Sequence, residues 1–520
     1  MIVKYLNNKF FTLYFTPFLL GCLTVLSFQP FNLTFINFFI LPIFFYLIIF
    51  IKKKSKSIYR KKPFKLHLFI FGTSFGFGYY LSGIHWITNS LTFDESFKFL
   101  IPFGLILVPL FLSLFFSIVT LIIGPFLSLN LKSIFLLSGS LSFSDYLRAK
   151  LLSGFPWNLW AYSFSWSTEI IQILEKTGLF LFNLLIITIF TLPAFIFCND
   201  KIHKKFLIFI SIILILFSLY MYGNYSINKN KLFLSTAIDN YNIKVVSPNF
   251  NLEYGISIEE MKNRLDKLIR YSDPKKNKKT LFVWPEGVFS GYSFKEIIQF
   301  KKIFQTSFSE NHIILFGINI FDTTKKGFYN SMIVANHNLE IIENYNKQKL
   351  VPFGEFLPFE QQLNKFGLKK ITEGHTSFIK GKIQDNLIIG QLNILPLICY
   401  EVIFPKFIQK SNEQTNLIIN ISEDGWFGNS IGPHQHFAKG IFRAIEHNSF
   451  LIRSTNKGIS AIINNKGEII KKLNNTETGH IEYQVPLIKN KNKNKNDLIF
   501  FVVLFTYILI FNLYKKNNEK

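Results

Sequence analysis

Three segments of this 520-residue chain end an apolar run on a side chain that can do chemistry. In Phe282-Val-Trp-Pro-Glu286-Gly, a carboxylate follows an apolar strand pattern beside Trp284 and after Pro285. Partial desolvation of that kind suits a carboxylate to general-base work. In YNKQKLVPFGEFLP (345–358), Lys347 lies in a loop punctuated by proline and glycine, where an ammonium held in place could stabilise an oxyanion. In Leu395-Pro-Leu-Ile-Cys399-Tyr400-Glu401, a thiol follows a third apolar run and is a candidate nucleophile. A free thiol, with a pKa of ~8.5, needs a base or a positive field to act at neutral pH. Cys399 is the one cysteine outside the apolar spans; Cys22 and Cys198 lie in or beside them. Taken singly, each residue has an ordinary reading: a strand-end Glu meeting water, one lysine in a lysine-rich chain, an inert buried thiol. No CxxC or HxxxH-type cluster surrounds Cys399, and His434 and His436 point apart on a helix, so neither a metal nor another cofactor is expected.

The elements that must position these groups come from alternating short runs. Strands are expected at 243–249, 280–286, 312–321, 329–337, 394–401, 416–422 and 458–464, and helices at 256–271 and 434–447. Strands alternating with helices imply a layered α/β architecture, here a soluble domain over 232–488. The rest is different in kind. Apolar runs at 10–28, 31–51, 66–87, 99–128, 133–147, 170–197, 206–222 and 498–514 approach the ~20 residues a membrane helix needs. The run 133–147, broken by serines and Asp145, is the weakest. The first run lacks a signal-peptide cleavage pattern and is followed at once by the second, so it reads as a retained helix.

These runs give the domain plan: a membrane domain over 1–225 with seven spans, the soluble domain over 232–488, a Lys/Asn-rich linker at 489–497 and a last span at 498–514. Lys4, Lys9, the loop KKKSKSIYRKKPFK (52–65) and Lys201, Lys204 and Lys205 mark the cytoplasmic side. The soluble domain then lies outside, and the tail KKNNEK returns to the cytoplasm. Were 133–147 not to span, the domain would lie inside. The four lysines of the linker run against this orientation, but long translocated domains largely ignore the charge rule.

Composition agrees with a two-part molecule. Hydrophobic residues make up 49% and include 63 Phe, which excludes a disordered basic chain. Three cysteines exclude a disulfide framework. The net charge of +25 is compatible with nucleic acid, but it is partly a topology signal in cytoplasmic loops, and much of the rest is a general lysine-rich habit seen also in the KNKNKN linker.

Order and local sequence then sharpen the three weak signals. Glu, Lys about 60 residues on and Cys about 50 further resemble the carbon–nitrogen hydrolase (nitrilase) superfamily, whose triad sits on an αββα sandwich. YNKQKLVPFGEFLPFE, LICYEVIFP, DGWFGNSIGPHQHFAKGIFRAIE (424–446) and LIRSTNKGISAII resemble, within it, the apolipoprotein N-acyltransferase family. SFQPF (27–31), GFGYYLSGIHW (76–86) and DYLRAKLLSGFPWNLWAYS (145–163) extend the likeness into the membrane half. The resemblance implies a polytopic helical membrane domain with an αββα domain on the periplasmic side of the bacterial inner membrane. It implies Glu286 as general base, Lys347 as oxyanion stabiliser and Cys399 as acyl-carrying nucleophile. Glu355 matches an accessory carboxylate, Tyr400 and Glu401 flank the nucleophile, and Trp426 belongs to a substrate-facing WFG loop. The implied donor is a phospholipid, phosphatidylethanolamine, and the acceptor the amine of a diacylglyceryl-cysteine on an apolipoprotein.

The Phe-rich segments 353–359 and 426–428 are expected to dip into the membrane interface as lids. Departures from the family pattern are Glu423, where an NDAWFG-like loop has Asn, Ser247 where a Gln is common, and Tyr254 as the aromatic nearest to an expected Trp. A membrane-tethered amidase would share the triad but not the likeness across the spans. A transporter or sensor would favour charges within the spans, of which Asp145 and Arg148 are the candidates.

Overall fold

The computed structural model describes residues 8–58, 63–236, 239–253, 255–358, 360, 377–384, 386–409, 414–488 and 497–516. Lys4, Tyr254, Phe359 and all of the Lys/Asn-rich linker except Asp497 lie outside the described residues. The chain divides into two compact units, Met1–Thr88 with Glu95–Tyr225 and Asn496–Lys520, and Asn89–Asp94 with Ser226–Lys495.

The first unit is helical: α1 (Thr16–Leu23), α2 (Asn37–Ile58), α3 (Pro63–Ile84), α4 (Ile101–Ile123), α5 (Leu131–Lys150), α6 (Leu174–Thr191), α7 (Ile202–Ser235) and a last helix, Leu498–Lys516. Among the described residues, four helical stretches are long and apolar enough to cross a bilayer. These are Thr34–Lys54, Glu95–Phe126, Ile170–Phe197 and Ile202–Ser235; Phe11–Ser27 and Leu498–Asn512 are shorter apolar helices. The weak run 133–147 is a continuous helix, α5, started by Asn130, whose side chain accepts from Ser133 N at 3.0 Å. Its charges are satisfied internally. Buried Asp145 meets Arg148 at 2.8 Å and accepts from Asn183 Nδ2 at 3.0 Å, which is how buried ions are tolerated.

The second unit is built of β1 (Asn240–Ser247), β2 (Thr280–Val283), β3 (His312–Asp322), β4 (Gly327–Ala335), β5 (Ile341–Asn346), β6 (Leu387–Ile389), β7 (Leu392–Ile398), β8 (Leu417–Glu423), β9 (Phe450–Asn456), β10 (Ser460–Ile463), β11 (Ile469–Leu473) and β12 (Gly479–Pro486). They form two six-stranded sheets, in the orders β12-β1-β2-β3-β4-β5 and β11-β10-β9-β8-β7-β6. The sheets stack through one apolar layer that takes alternate residues from both, among them Ile243, Val245, Leu281, Val283, Leu315, Val334, Ile394, Ile398, Ile419 and Ile452. Alternation of that kind is what a strand buried on a shared core requires.

The opposite face of the first sheet is covered by the helix Ile258–Ser272 through Met261, Leu265 and Leu268, and by Phe300, Phe304 and Phe308. Ser257 caps that helix by accepting from Glu260 N at 3.1 Å. Against the second sheet lies the helix Gly432–His447, opened by Pro433 and closed by Asn448 in the left-handed conformation. The result is an αββα sandwich.

Two expected strands are shorter than their apolar runs. β2 stops at Val283, and Glu286 falls three residues beyond it, because Pro285 has no N–H for the ladder. β7 stops at Ile398, because Cys399 turns to φ +49°, a conformation no strand contains.

Candidate active site

The reactive groups lie where strands end. After β2 the backbone makes one more ladder bond, Trp284 N to Leu315 O at 2.8 Å, and then releases Glu286. Lys347 directly follows β5; its N–H donates to Asn330 O on β4 at 2.9 Å, and its side chain is only 1% exposed. Burial of a lysine is unfavourable unless it is paired. Here Nζ stands 2.8 Å from Glu355 Oε1 and 3.4 Å from Glu286 Oε1. Burial opposes the charged ammonium, but the carboxylates of Glu286 and Glu355, with Cys399, outweigh it and raise the Lys347 pKa. The balance favours the charged ammonium.

Asn330, for which the sequence carries no motif, links the two carboxylates. Its Nδ2 donates to Glu286 Oε1 and to Glu355 Oε1, each at 2.7 Å. The other oxygen of each carboxylate is held by backbone, Glu286 Oε2 by Glu423 N at 3.1 Å and Glu355 Oε2 by Val351 N at 2.8 Å. A polar Asn flanked by Tyr and Ser in an otherwise apolar strand (YNSMIVA) was the available signal.

Cys399 is half-buried at the turn after β7. A non-glycine residue at positive φ stores strain that recurs at functional sites. Burial, then the charge of Glu286, push the thiol pKa up, while Lys347 and the Ser422 hydroxyl pull it down. The balance favours a protonated thiol, with Glu286 and Lys347 close enough to bias its ionisation.

Glu401, two residues on, joins two loops. It accepts from Ile398 N at 2.9 Å, Gln348 N at 2.7 Å, Lys349 N at 2.9 Å and the Tyr345 hydroxyl at 2.9 Å. Burial pushes its carboxyl up to about 7 against the pull of these N–H groups and of Lys347. Tyr400 turns its ring onto Phe404, 5.0 Å between centroids.

Trp426 sits in the turn after β8 and packs edge-to-face on Phe93 at 5.1 Å, while Asn89 Nδ2 donates to the neighbouring Phe427 O at 2.6 Å. Asn89 and Phe93 come from a segment that reads in sequence only as a loop between spans. Beneath the turn, buried Asp424 accepts from Arg453 (2.8 Å), His436 (3.0 Å) and Ser422 (2.7 Å). Burial opposes its charge, but Arg453 and His436 outweigh that and bring its pKa to about 2. Of the residues expected from sequence, the structure brings Glu286, Lys347 and Glu355 into one cluster beside Cys399. Glu401 ties the Cys399 turn to the Lys347 loop, Tyr400 packs on Phe404, and Trp426 belongs to the turn after β8. Among the described residues, no group of three or more His, Cys, Asp or Glu could hold a metal ion.

Comparison with known proteins covers both units. Residues 20–192 match the apolipoprotein N-acyltransferase N-terminal domain, and residues 252–489 match the carbon-nitrogen hydrolase family. The chain is 30% identical over 487 residues to an apolipoprotein N-acyltransferase of Rhodopseudomonas palustris, spanning 90% of this chain and 88% of that protein. It is 33% identical over 481 residues to one of Rickettsia typhi, spanning 90% and 91%. A third, of Rickettsia prowazekii, is 34% identical over 428 residues, spanning 80% and 83%. Matching both domain models and at least 30% identical to these relatives over most of either chain, the chain belongs to the apolipoprotein N-acyltransferase family.

Proposed function

We propose that this membrane protein is an N-acyltransferase that moves an acyl chain from a phospholipid to the N-terminal amine of a diacylglyceryl-cysteine on an apolipoprotein. The observation that carries this reading is chain-long similarity to relatives of that name, together with Glu286, Lys347 and Glu355 clustered beside a strained Cys399. A membrane-tethered amidase would share the three residues but leaves the match over 20–192 without a role.

The chemistry follows from the protonation states. Cys399 rests as a thiol, so its proton must leave as the sulfur attacks the ester carbonyl of the donor, phosphatidylethanolamine. Glu286 takes that proton. Lys347, held charged by two carboxylates, faces the oxyanion as it forms; one such donor contributes about 2.7–4 kcal/mol to the transition state. Collapse of the tetrahedral adduct breaks the ester C–O bond, and Glu286 returns the proton to the departing lysophospholipid alkoxide. The acyl chain is then a thioester on Cys399. The acceptor amine attacks it, Glu286 removes a proton from the amine, the C–S bond breaks, and the proton passes to the leaving sulfur. An amide forms and the thiol is restored, a ping-pong sequence.

We also place eight spans in the inner membrane, with the catalytic unit on the periplasmic side and the Phe-rich segments 353–359 and 426–428 at the lipid interface. The lysine bias of the short loops supports that orientation, and Phe353 is 51% exposed. The reaction is tested by mass spectrometry of the full chain after incubation with phosphatidylethanolamine. The expected result is an acyl adduct on Cys399 that disappears when a diacylglyceryl-peptide is added, the peptide gaining that acyl chain. No adduct, or an equal one on Cys399→Ala, refutes the reading.

A further inference from the structure

The end of β8 places a second carboxyl group beside the base. Glu423, 3% exposed, curls over its own turn: Oε1 accepts from Gly425 N at 2.8 Å and Oε2 from Asn456 Nδ2 at 2.7 Å. Asn456 is itself fixed, accepting from Phe250 N at 2.7 Å and donating to Phe250 O at 3.0 Å. The main-chain N–H of Glu423 donates to Glu286 Oε2 at 3.1 Å.

The fit around this carboxyl is close. A Cβ on Gly287 would lie 2.6 Å from Glu423 Oε2, and one on Gly425 would lie 2.7 Å from Oε1, so both neighbours must be glycine while Glu423 holds this conformation. Among the described residues, no cation forms an ion pair with Glu423. Arg453 and His436 are turned to Asp424, Lys347 to Glu286 and Glu355, and Lys457 Nζ donates to Asn251 at 2.8 Å. The charged groups nearest Glu423 are carboxylates, Glu286 across the hydrogen bond and Asp424 next in the chain, each with its own cation.

We propose that Glu423 is a positioning residue for Glu286, held as a neutral carboxylic acid, and that its ionisation sets the alkaline limit of the acylation step. The geometry favours neutrality, because a second negative charge would be enclosed one peptide group away from Glu286 with no cation paired to it. Burial, reinforced by Glu286 and Asp424 and opposed by the Asn456 and Gly425 hydrogen bonds, pushes the Glu423 carboxyl up to about 8. Below that pH, the neutral side chain caps the turn, and the turn aims its N–H at the base. Above it, the added charge raises the negative potential at the Cys399 sulfur and opposes the oxyanion. The proton on Glu423 does not move during turnover.

This inference rests on the acyltransferase reading, and its test separates the two. The rate of acyl-enzyme formation on Cys399 from phosphatidylethanolamine in detergent is followed by intact mass from pH 6 to 10, for wild type and for Glu423→Gln. The wild-type rate is expected to fall about tenfold per pH unit above about pH 8, as for one ionisation. In the Gln variant that fall moves upward by at least one unit. Glu423→Asn with Gly425→Ala, in which a shorter side chain makes room for the added Cβ, is expected to show the same displacement and stands in if the Gln variant does not fold. A wild-type chain that forms no adduct at pH 7 defeats both readings. An adduct with superimposable pH profiles, or a wild-type rate that does not fall near pH 8, overturns this inference alone.

Discussion

Asn330→Ala tests whether the base is held by its neighbours or merely stands near them. Nδ2 must be the atom between the two carboxylates, because an amide oxygen there would face two acceptors. Hydrogen bonds to charged groups contribute about 1.5–3 kcal/mol each, and the substitution removes two, both 2.7 Å long. Glu355 loses little, since Lys347 and Val351 N still hold it at 2.8 Å each. Glu286 loses most. It keeps only the 3.4 Å contact to Lys347 and the 3.1 Å bond from Glu423 N, so its carboxylate is freed to rotate away from the thiol. Loss of roughly half to all of one charge-assisted bond at the transition state, about 1.4–2.8 kcal/mol, corresponds to a 10–100-fold slower acylation of Cys399. Single-turnover intact mass reads that rate directly, and the melting temperature checks the fold. Asn330→Asp separates charge from volume: it sets a third carboxylate against the other two and must slow acylation more than Ala does. An Ala variant within twofold of wild type, with its fold intact, would refute the assignment of Asn330 as a positioning residue.

Glu401→Gln puts an amide N–H against a backbone N–H whichever way it turns, at Ile398 or at Gln348 and Lys349; an unsatisfied buried group costs about 1–3 kcal/mol, read as a lower melting temperature together with slower acylation. Asp424→Asn leaves Arg453 buried without its charge partner and is expected to destabilise the catalytic unit by about 3–5 kcal/mol. The same residue gives an acid limb. Its pKa is about 2 when folded against an ordinary 3.8, so it contributes about 2 kcal/mol that is present above pH 3.8 and lost as pH falls through 2, a limb absent from the denaturation curves of the Asp424→Asn variant. Phe93→Ala removes an aromatic pair worth about 0.5–1.5 kcal/mol and is expected to raise KM for the peptide acceptor two- to tenfold with the donor half-reaction little changed. Phe353→Ser is expected to slow turnover of vesicle lipid more than of detergent-dispersed short-chain lipid; equal effects would remove its role at the interface.

The two-sheet fold was legible because its central strands are largely buried and read as continuous apolar runs: β3 and β8 appear in the sequence almost at their true lengths. β11 was not legible, since IIKKL carries two lysines on an exposed edge, nor was β6, three residues long. β9 (FLIRSTN) hides a fully buried Arg453 in its middle, and only the distant Asp424 and Asn420, which accept from that guanidinium, explain how a charge lies there. The site shows the same division. Glu286, Lys347 and Cys399 could be named from type, order and local motif. Asn330, which holds Glu286, and Asn89 and Phe93, which hold the Trp426 turn, could not, because they become neighbours of the site only through long-range contacts.

Contacts of that kind explain how the chain keeps the strained Cys399, the proposed nucleophile, in register with Lys347. Cys399 at φ +49° costs on the order of 1–2 kcal/mol for an L-residue, and a local turn alone would relax. One buried carboxylate opposes that. Glu401 grips the N–H before the cysteine and, with the same side chain, the two N–H groups that follow Lys347, while Tyr345 donates to it from the strand that carries the lysine. The nucleophile turn and the lysine loop, 52 residues apart in sequence, are thereby one hydrogen-bonded piece. Glu286 joins that piece from the other side, through Asn330 on the adjacent strand and Glu423 on the facing sheet. Each of these three candidate groups is thus aimed by a group outside its own loop, and Glu355, within 353–358, ties that segment to the ammonium of Lys347.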